Sequence, residues 1–86
     1  MAGNDAKRVE RVQTGVRIEK RILKVAKGIA EMHDMSLGDL LEGVLLHAYE
    51  GKCAFGQPTI ERIAKLRDVY GLDLDAADSH RLQESA

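Results

Sequence analysis

Residues 12–18 read VQTGVRI, and this short run has a period of two. β-Branched side chains occupy every second position, at Val12, Thr14, Val16 and Ile18. The positions between them hold Gln13, Gly15 and Arg17. Such alternation is typical of a half-buried β-strand, which we predict at residues 9–18. The face with the valines then points to a core and the other face to solvent.

A single strand has two edges of unpaired backbone groups and does not persist alone in water. The sequence contains no second segment with this alternation. We therefore expect two copies to pair their strands antiparallel about a two-fold axis, as a homodimer. The dimer core is predicted from the apolar face of the strand and the helices behind it: Val12, Val16, Ile18, Ile22, Leu40, Leu41, Val44 and Leu45.

After the strand the apolar period changes to three and four, which indicates helices. We predict helices at residues 19–33, 37–50 and 60–70, and a short one near 76–84. Ser36 has the side chain of an N-cap, Thr59 is a second candidate cap, and Gly51 is a suitable helix end. The prediction is a mostly α protein with one strand. Its parts are a basic arm (residues 1–8), a dimerisation domain (9–51) and a helical extension (52–86).

The charges are divided unevenly along the chain, although the net charge is only −1. Residues 1–28 hold eight basic and three acidic residues, whereas residues 29–86 hold five basic and eleven acidic ones. This division predicts one anion-binding face on an acidic body. Phosphate contacts are expected from the basic residues nearest the strand: Lys7, Arg8, Arg11, Lys20 and Arg21.

The outward face of a paired ribbon presents Arg11, Gln13, Gly15 and Arg17 from each copy. A two-stranded ribbon fits the major groove of B-DNA, where Arg recognises guanine and Gln recognises adenine. The arginine and glutamine side chains on this face are therefore candidates for base contacts.

The order of strand, helix, turn and helix over residues 12–51 resembles the ribbon-helix-helix family, which includes the Arc and MetJ repressors. The resemblance implies a homodimer that binds operator DNA through the domain at residues 9–51 and represses transcription. It implies base contacts from three outward strand residues, which fall at Gln13, Gly15 and Arg17. It also implies a phosphate held by the backbone N–H groups at the start of the second helix, at Ser36 and Leu37. Free N–H groups and the helix dipole attract anions there.

Other classes of function have little support in the sequence. The chain has one cysteine, Cys53, and no long apolar run, so we expect a cytoplasmic protein without a disulfide or a membrane span. The spacing of Cys53 and the three histidines matches no compact metal motif, and His33 and His47 are predicted to be half-buried. We expect no metal, no cofactor and no enzymatic activity.

Three functions remain open at this point. The first is a sequence-specific DNA-binding repressor. The second is an antitoxin whose residues 59–86 bind a toxin through a stripe of Ile60, Ile63 and Leu66, unless that helix packs on its own core. The third is a protein-interaction module that binds no DNA.

Overall fold

Three α-helices form the body of the protein in a computed structural model that describes residues 6–85. They are α1 (Lys20–Met32), α2 (Leu37–Tyr49) and α3 (Gln57–Val69), followed by a 3₁₀ turn at Ala76–Asp78. Helix α1 lies in the middle and packs against both α2 and α3. The mostly α prediction is therefore consistent with the structure.

The predicted N-terminal strand is wrong. Residues 6–18 run without helix, strand, turn or bend, and the part of the chain from residue 6 to 85 contains no β-strand at all. The backbone groups of residues 6–18 form no hydrogen bond with any described residue. Alternation assigns side chains to two faces, but a strand exists only where a second backbone accepts its hydrogen bonds. No described residue supplies one, so the ribbon-helix-helix fold is not what the chain adopts.

The first two helices follow the predicted periodicity to within a residue or two. Helix α1 begins after Glu19, whose carboxylate accepts hydrogen bonds from the N–H groups of Arg21 and Ile22. Helix α2 begins after Ser36, whose hydroxyl accepts from the Asp39 N–H at 3.1 Å, as the N-cap prediction required. Gly51 follows α2 at φ +69°, a left-handed conformation that glycine adopts without strain.

The third helix begins earlier than predicted. Its N-cap is Gly56, which makes no side-chain capping bond, and Pro58 lies in the first turn, where its missing N–H costs nothing. Thr59 is therefore inside the helix and is not its cap. The helix predicted near 76–84 shortens to the 3₁₀ turn at Ala76–Asp78.

The core is small and lies where α1 meets α2. Only four of the described residues are buried: Val25, Ile29, Ala30 and Leu40. Ile63 and Leu66 of α3 pack against this cluster, and Leu66 lies so close to α1 that a Cβ on Gly28 would meet its methyl groups at 3.2 Å. Helix α3 thus lies against its own core, with Ile60 left 39% exposed.

Helix α2 is apolar on two opposite faces. Leu37, Leu40 and Val44 face the core, whereas the opposite face carries Leu45, Leu46 and Tyr49. Leu46 and Tyr49 are 61% and 75% exposed. Exposed leucines and a tyrosine grouped on one helix face are unusual in a monomer, and residues 6–85 leave this apolar part of α2, which lies beside Glu42, uncovered.

Some of the residues predicted to form a dimer core are covered within the single chain, and the others are exposed. Leu40 is buried, and Leu41 and Val44 are half-buried within the single chain. The remaining five are exposed: Val12, Val16, Ile18, Ile22 and Leu45. Gly43 has open space where a Cβ would stand, so it mediates no close approach between helices of this chain.

The chain exposes more surface than a compact monomer of its size. Its accessible area is 7556 Å², whereas about 5,000 Å² is typical of a folded monomer of this mass. The six residues outside the described range account for at most about 1,000 Å² of the excess. The radius of gyration is 15.0 Å, against about 12 Å for a compact domain of this length.

Candidate nucleic-acid interface

A groove of about 1390 Å³ runs along the N-terminal segment, which we define as residues 6–18. It is lined by residues 12–21, by Leu74 and by the C-terminal tail, defined as residues 82–85. Leu23, Lys27 and the start of α2 line it as well.

The groove brings together about half of the predicted site residues. It is lined by all three predicted base contacts, Gln13, Gly15 and Arg17, and by three predicted phosphate contacts, Lys20, Arg21 and Leu37. The other predicted phosphate contacts, Lys7, Arg8, Arg11 and Ser36, do not line it. Lys27, which is not among the predicted phosphate contacts, is exposed and also lines the groove.

Arg17 is paired with a carboxylate of the C-terminal tail. Its Nε donates to Glu84 Oε1 at 3.3 Å, and its Nη2 contacts Glu84 Oε2. Both side chains are largely exposed, at 83% and 66%. The predicted base contact is therefore occupied by an acidic group of the same chain.

Arg11 attaches the N-terminal segment to the outer face of α2. Its Nε and Nη2 donate to the two carboxylate oxygens of Glu42 at 2.8 and 3.0 Å. The hydrogen bonds and the opposite charge raise the pKa of Arg11 and lower that of Glu42. Glu42 lies three, four and seven positions before Leu45, Leu46 and Tyr49, so this ion pair anchors the segment beside the uncovered apolar face.

Arg21 connects the start of α1 to the loop after α3. Its Nη1 donates to the Gly71 carbonyl and to Asp73 Oδ1, both at 2.9 Å, while its Nε donates to Glu19 at 3.1 Å. The neighbouring carboxylates, Glu19 first among them, raise the pKa of Arg21. Arg21 is thus a structural residue in this chain, and a phosphate would have to compete with three oxygen acceptors.

Glu19 is held in its charged form by the helix that it caps. The Ile22 N–H, which donates to Glu19 Oε1 at 3.0 Å, is the main cause of a lowered pKa, and the Arg21 side chain adds to it. A carboxyl group whose pKa is lower in the folded state stabilises the fold above its unfolded pKa of about 4.3, and this contribution is lost at lower pH.

The Glu19→Gln variant is expected to lose less stability in acid than the wild type. Between about pH 5 and pH 3 the wild type has to protonate a capping carboxylate, whereas the variant carries no titrating group at this position. Urea unfolding followed by circular dichroism at several pH values measures the difference. Glu31→Gln, an exposed position on the same helix, is the control, and equal acid sensitivity of both variants would contradict the role of Glu19.

The remaining basic residues of the N-terminal half make no ion pair with a described residue. Lys7, Arg8, Lys20 and Lys27 are exposed. Lys24 lies 5.9 Å from the centroid of the Tyr70 ring, a weak cation–π contact that orients it toward α3.

The start of α2 borders the groove through Leu37 and Gly38. Ser36 uses its hydroxyl to cap the Asp39 N–H, and Leu37 is half-buried against the core. Asp39, an exposed residue in the first turn of α2, adds negative charge near the N–H groups predicted to hold a phosphate.

The contribution of the C-terminal tail was missed at the sequence level. The acidic residues at positions 72–86 predict only a polar extension, and nothing in their spacing predicts a contact between Glu84 and Arg17. Leu74 and Leu82 are apolar residues in this otherwise polar region, and both of them line the groove.

The histidines and the cysteine form no site among residues 6–85. No group of three or more His, Cys, Asp or Glu side chains is placed to hold a metal ion there. His33 and His47 are exposed and are not the half-buried residues that were predicted; the ring of His47 lies 2.7 Å from the Gly43 carbonyl. Cys53 is exposed and contacts the Phe55 carbonyl. None of the described helices has the length and apolar character needed to cross a membrane.

Comparisons with models of protein families, with curated proteins and with solved structures gave no match to this chain. The likeness of residues 12–51 to ribbon-helix-helix proteins therefore remains a resemblance of sequence pattern.

Proposed function

We propose that this protein is a DNA-binding transcriptional regulator, a repressor, that acts as a homodimer and binds DNA through its N-terminal segment and the groove beside it. The observation that carries the proposal is the N-terminal segment itself. It is exposed throughout, its backbone has no hydrogen-bond partner among the described residues, and it carries Lys7, Arg8, Arg11 and Arg17. A segment of this kind is suited to bind a polyanion along its length.

The chemistry of the groove supports DNA over a small anion. Gln13 and Arg17 are the side-chain types that recognise adenine and guanine edges, and both line the groove. Lys20 and Lys27 line the same groove, where they would contact the phosphate oxygens on either side of the bases. The proposal assigns base contacts to Gln13 and Arg17 and phosphate contacts to these lysines, to Lys7 and to Arg8.

The proposal of a homodimer has two supports. The first is the uncovered apolar face of α2, at Leu45, Leu46 and Tyr49. The second is the excess accessible area, which exceeds the ~800 Å² per partner that a standard interface buries. A second copy would double the number of basic segments presented to one duplex. The proposal places the protein in the cytoplasm, where a single exposed thiol such as Cys53 stays reduced.

The Arg17→Ala variant is expected to lose sequence-specific binding while its fold stays intact. Arg17 packs against no core residue, and a bidentate contact to a base contributes about 1–3 kcal/mol of discrimination. Sites are first selected from random duplexes with the wild-type protein. Fluorescence anisotropy then compares the affinity for the selected duplex with that for a scrambled one.

Arg62→Ala is the matched control, because it removes the same charge from an exposed position on α3. Equal losses in the two variants would mean that only net charge matters and would reject the role of Arg17. The wild-type affinity should also fall with salt, with a log–log slope of about −0.9 for each neutralised phosphate. An association that does not respond to salt would reject DNA binding in favour of a protein partner.

A further inference from the structure

The C-terminal tail meets the N-terminal segment at one defined point, the pair of Arg17 and Glu84. These residues are 67 positions apart in the sequence, so the contact depends on the path of the whole chain. Glu84 presents both carboxylate oxygens to the guanidinium, one to Nε and one to Nη2. This two-point contact uses the same donor edge with which an arginine recognises a guanine or a phosphate.

The path of the chain after α3 is directed toward this point by a series of polar contacts. Arg67 Nη2 donates to the Leu74 carbonyl at 2.7 Å, and Arg21 holds Gly71 and Asp73 next to the start of α1. A capping box closes the N-terminal end of the 3₁₀ turn: the Asp75 carboxylate accepts from the Ala77 N–H at 3.0 Å, and the Asp78 carboxylate accepts from the Asp75 N–H at 2.9 Å.

Beyond the turn, the chain reverses and enters the groove. The Arg81 N–H donates to the Asp78 carbonyl at 3.0 Å, and His80 adopts φ +67°. The tail then lines the same groove as residues 12–21, and Glu84 meets Arg17 there. The position of Glu84 thus follows from a built turn and not from the end of the chain alone.

The C-terminal region that includes the tail also has the negative charge needed to compete with DNA phosphates for basic side chains. Residues 73–85 contain four acidic residues and one arginine, and two of the acidic residues pair with arginines of the basic half, Asp73 with Arg21 and Glu84 with Arg17. A guanidinium edge that is engaged by a carboxylate cannot at the same time make a bidentate contact with a base.

We propose that the C-terminal tail competes with DNA for Arg17: Glu84 binds Arg17 in the free protein and is displaced when DNA binds. This proposal rests on the DNA-binding function proposed above. Because both side chains of the pair are largely exposed, the pair weakens DNA binding without preventing it, and an exposed ion pair changes an equilibrium by about fivefold at most.

The test uses the full-length protein and a random-sequence DNA duplex as the probe, at one low salt concentration. Glu84→Gln keeps the shape of the side chain, removes its charge and is expected to bind the duplex about two- to fivefold more tightly than the wild type. Glu61→Gln removes the same charge from an exposed position on α3 and is expected to bind like the wild type. In an Arg17→Ala background, the Glu84→Gln change is expected to have no further effect, since the partner is gone.

The outcomes separate this proposal from the one on which it rests. If the wild type binds DNA and Arg17→Ala weakens it, but Glu84→Gln and Glu61→Gln behave alike, the tail is no competitor while the DNA-binding function stands. A gain from Glu84→Gln that persists without Arg17 would also overturn the competitor role. If no variant binds the duplex even at low salt, both proposals fall together.

Discussion

Replacement of Leu40 by alanine is expected to lower the free energy of unfolding by about 2–5 kcal/mol. Leu40 is 6% exposed and is the contribution of α2 to a core of four buried residues. The total stability of a chain of this length is on the order of 4–13 kcal/mol, so a loss of this size is a large part of the total. Few other side chains are available to close the cavity, because the core is so small.

The measurement for Leu40→Ala is chemical denaturation followed by circular dichroism at 222 nm, the standard helix signal. Val69→Ala is the matched control, since it also truncates an aliphatic side chain, but one that is 74% exposed at the end of α3. Its effect is expected to stay within about 0.5 kcal/mol. Comparable losses in the two variants would mean that α1 and α2 do not meet around Leu40.

The helices of this protein were predictable because the signal for each lies within the helix. Ile22, Val25 and Ile29 recur at helical spacing, Ser36 caps its own helix, and Gly51 ends it. All of these are interactions over four residues or fewer, which the sequence displays directly. The start of α3 was placed too late because Gly56 has no capping side chain to mark it.

The N-terminal segment and the candidate site were not predictable in the same way. The period of residues 12–18 describes which side chains share a face, but strand formation depends on a partner backbone that lies outside this pattern. The contact between Arg17 and Glu84 depends on the 3₁₀ turn and on the left-handed residue His80. Leu46 and Tyr49 were overlooked because the search for a single apolar stripe on α2 stops at one face, while the helix has two.

The Leu46→Lys variant is expected to convert the proposed homodimer to monomers, with a dimer dissociation constant raised about 100-fold or more. An ammonium group in the centre of an apolar interface loses its hydration without gaining a partner, which costs about 3 kcal/mol or more, and each 1.4 kcal/mol is a factor of ten. The residue is 61% exposed in the single chain, so the change leaves the core of Val25, Ile29 and Leu40 intact. Sedimentation velocity over a range of protein concentrations measures the effect.

Val69→Lys is the control for this variant, because it makes an equivalent change at an exposed valine of α3, on a different helix from the uncovered face. The dimer is expected to survive it. Circular dichroism of Leu46→Lys should retain the helical signal, which distinguishes dissociation from unfolding. A wild-type chain that sediments as a monomer at every concentration would show that α2 keeps Leu46 and Tyr49 in water. The excess surface would then belong to the N-terminal segment alone, and a single copy would have to bind the duplex.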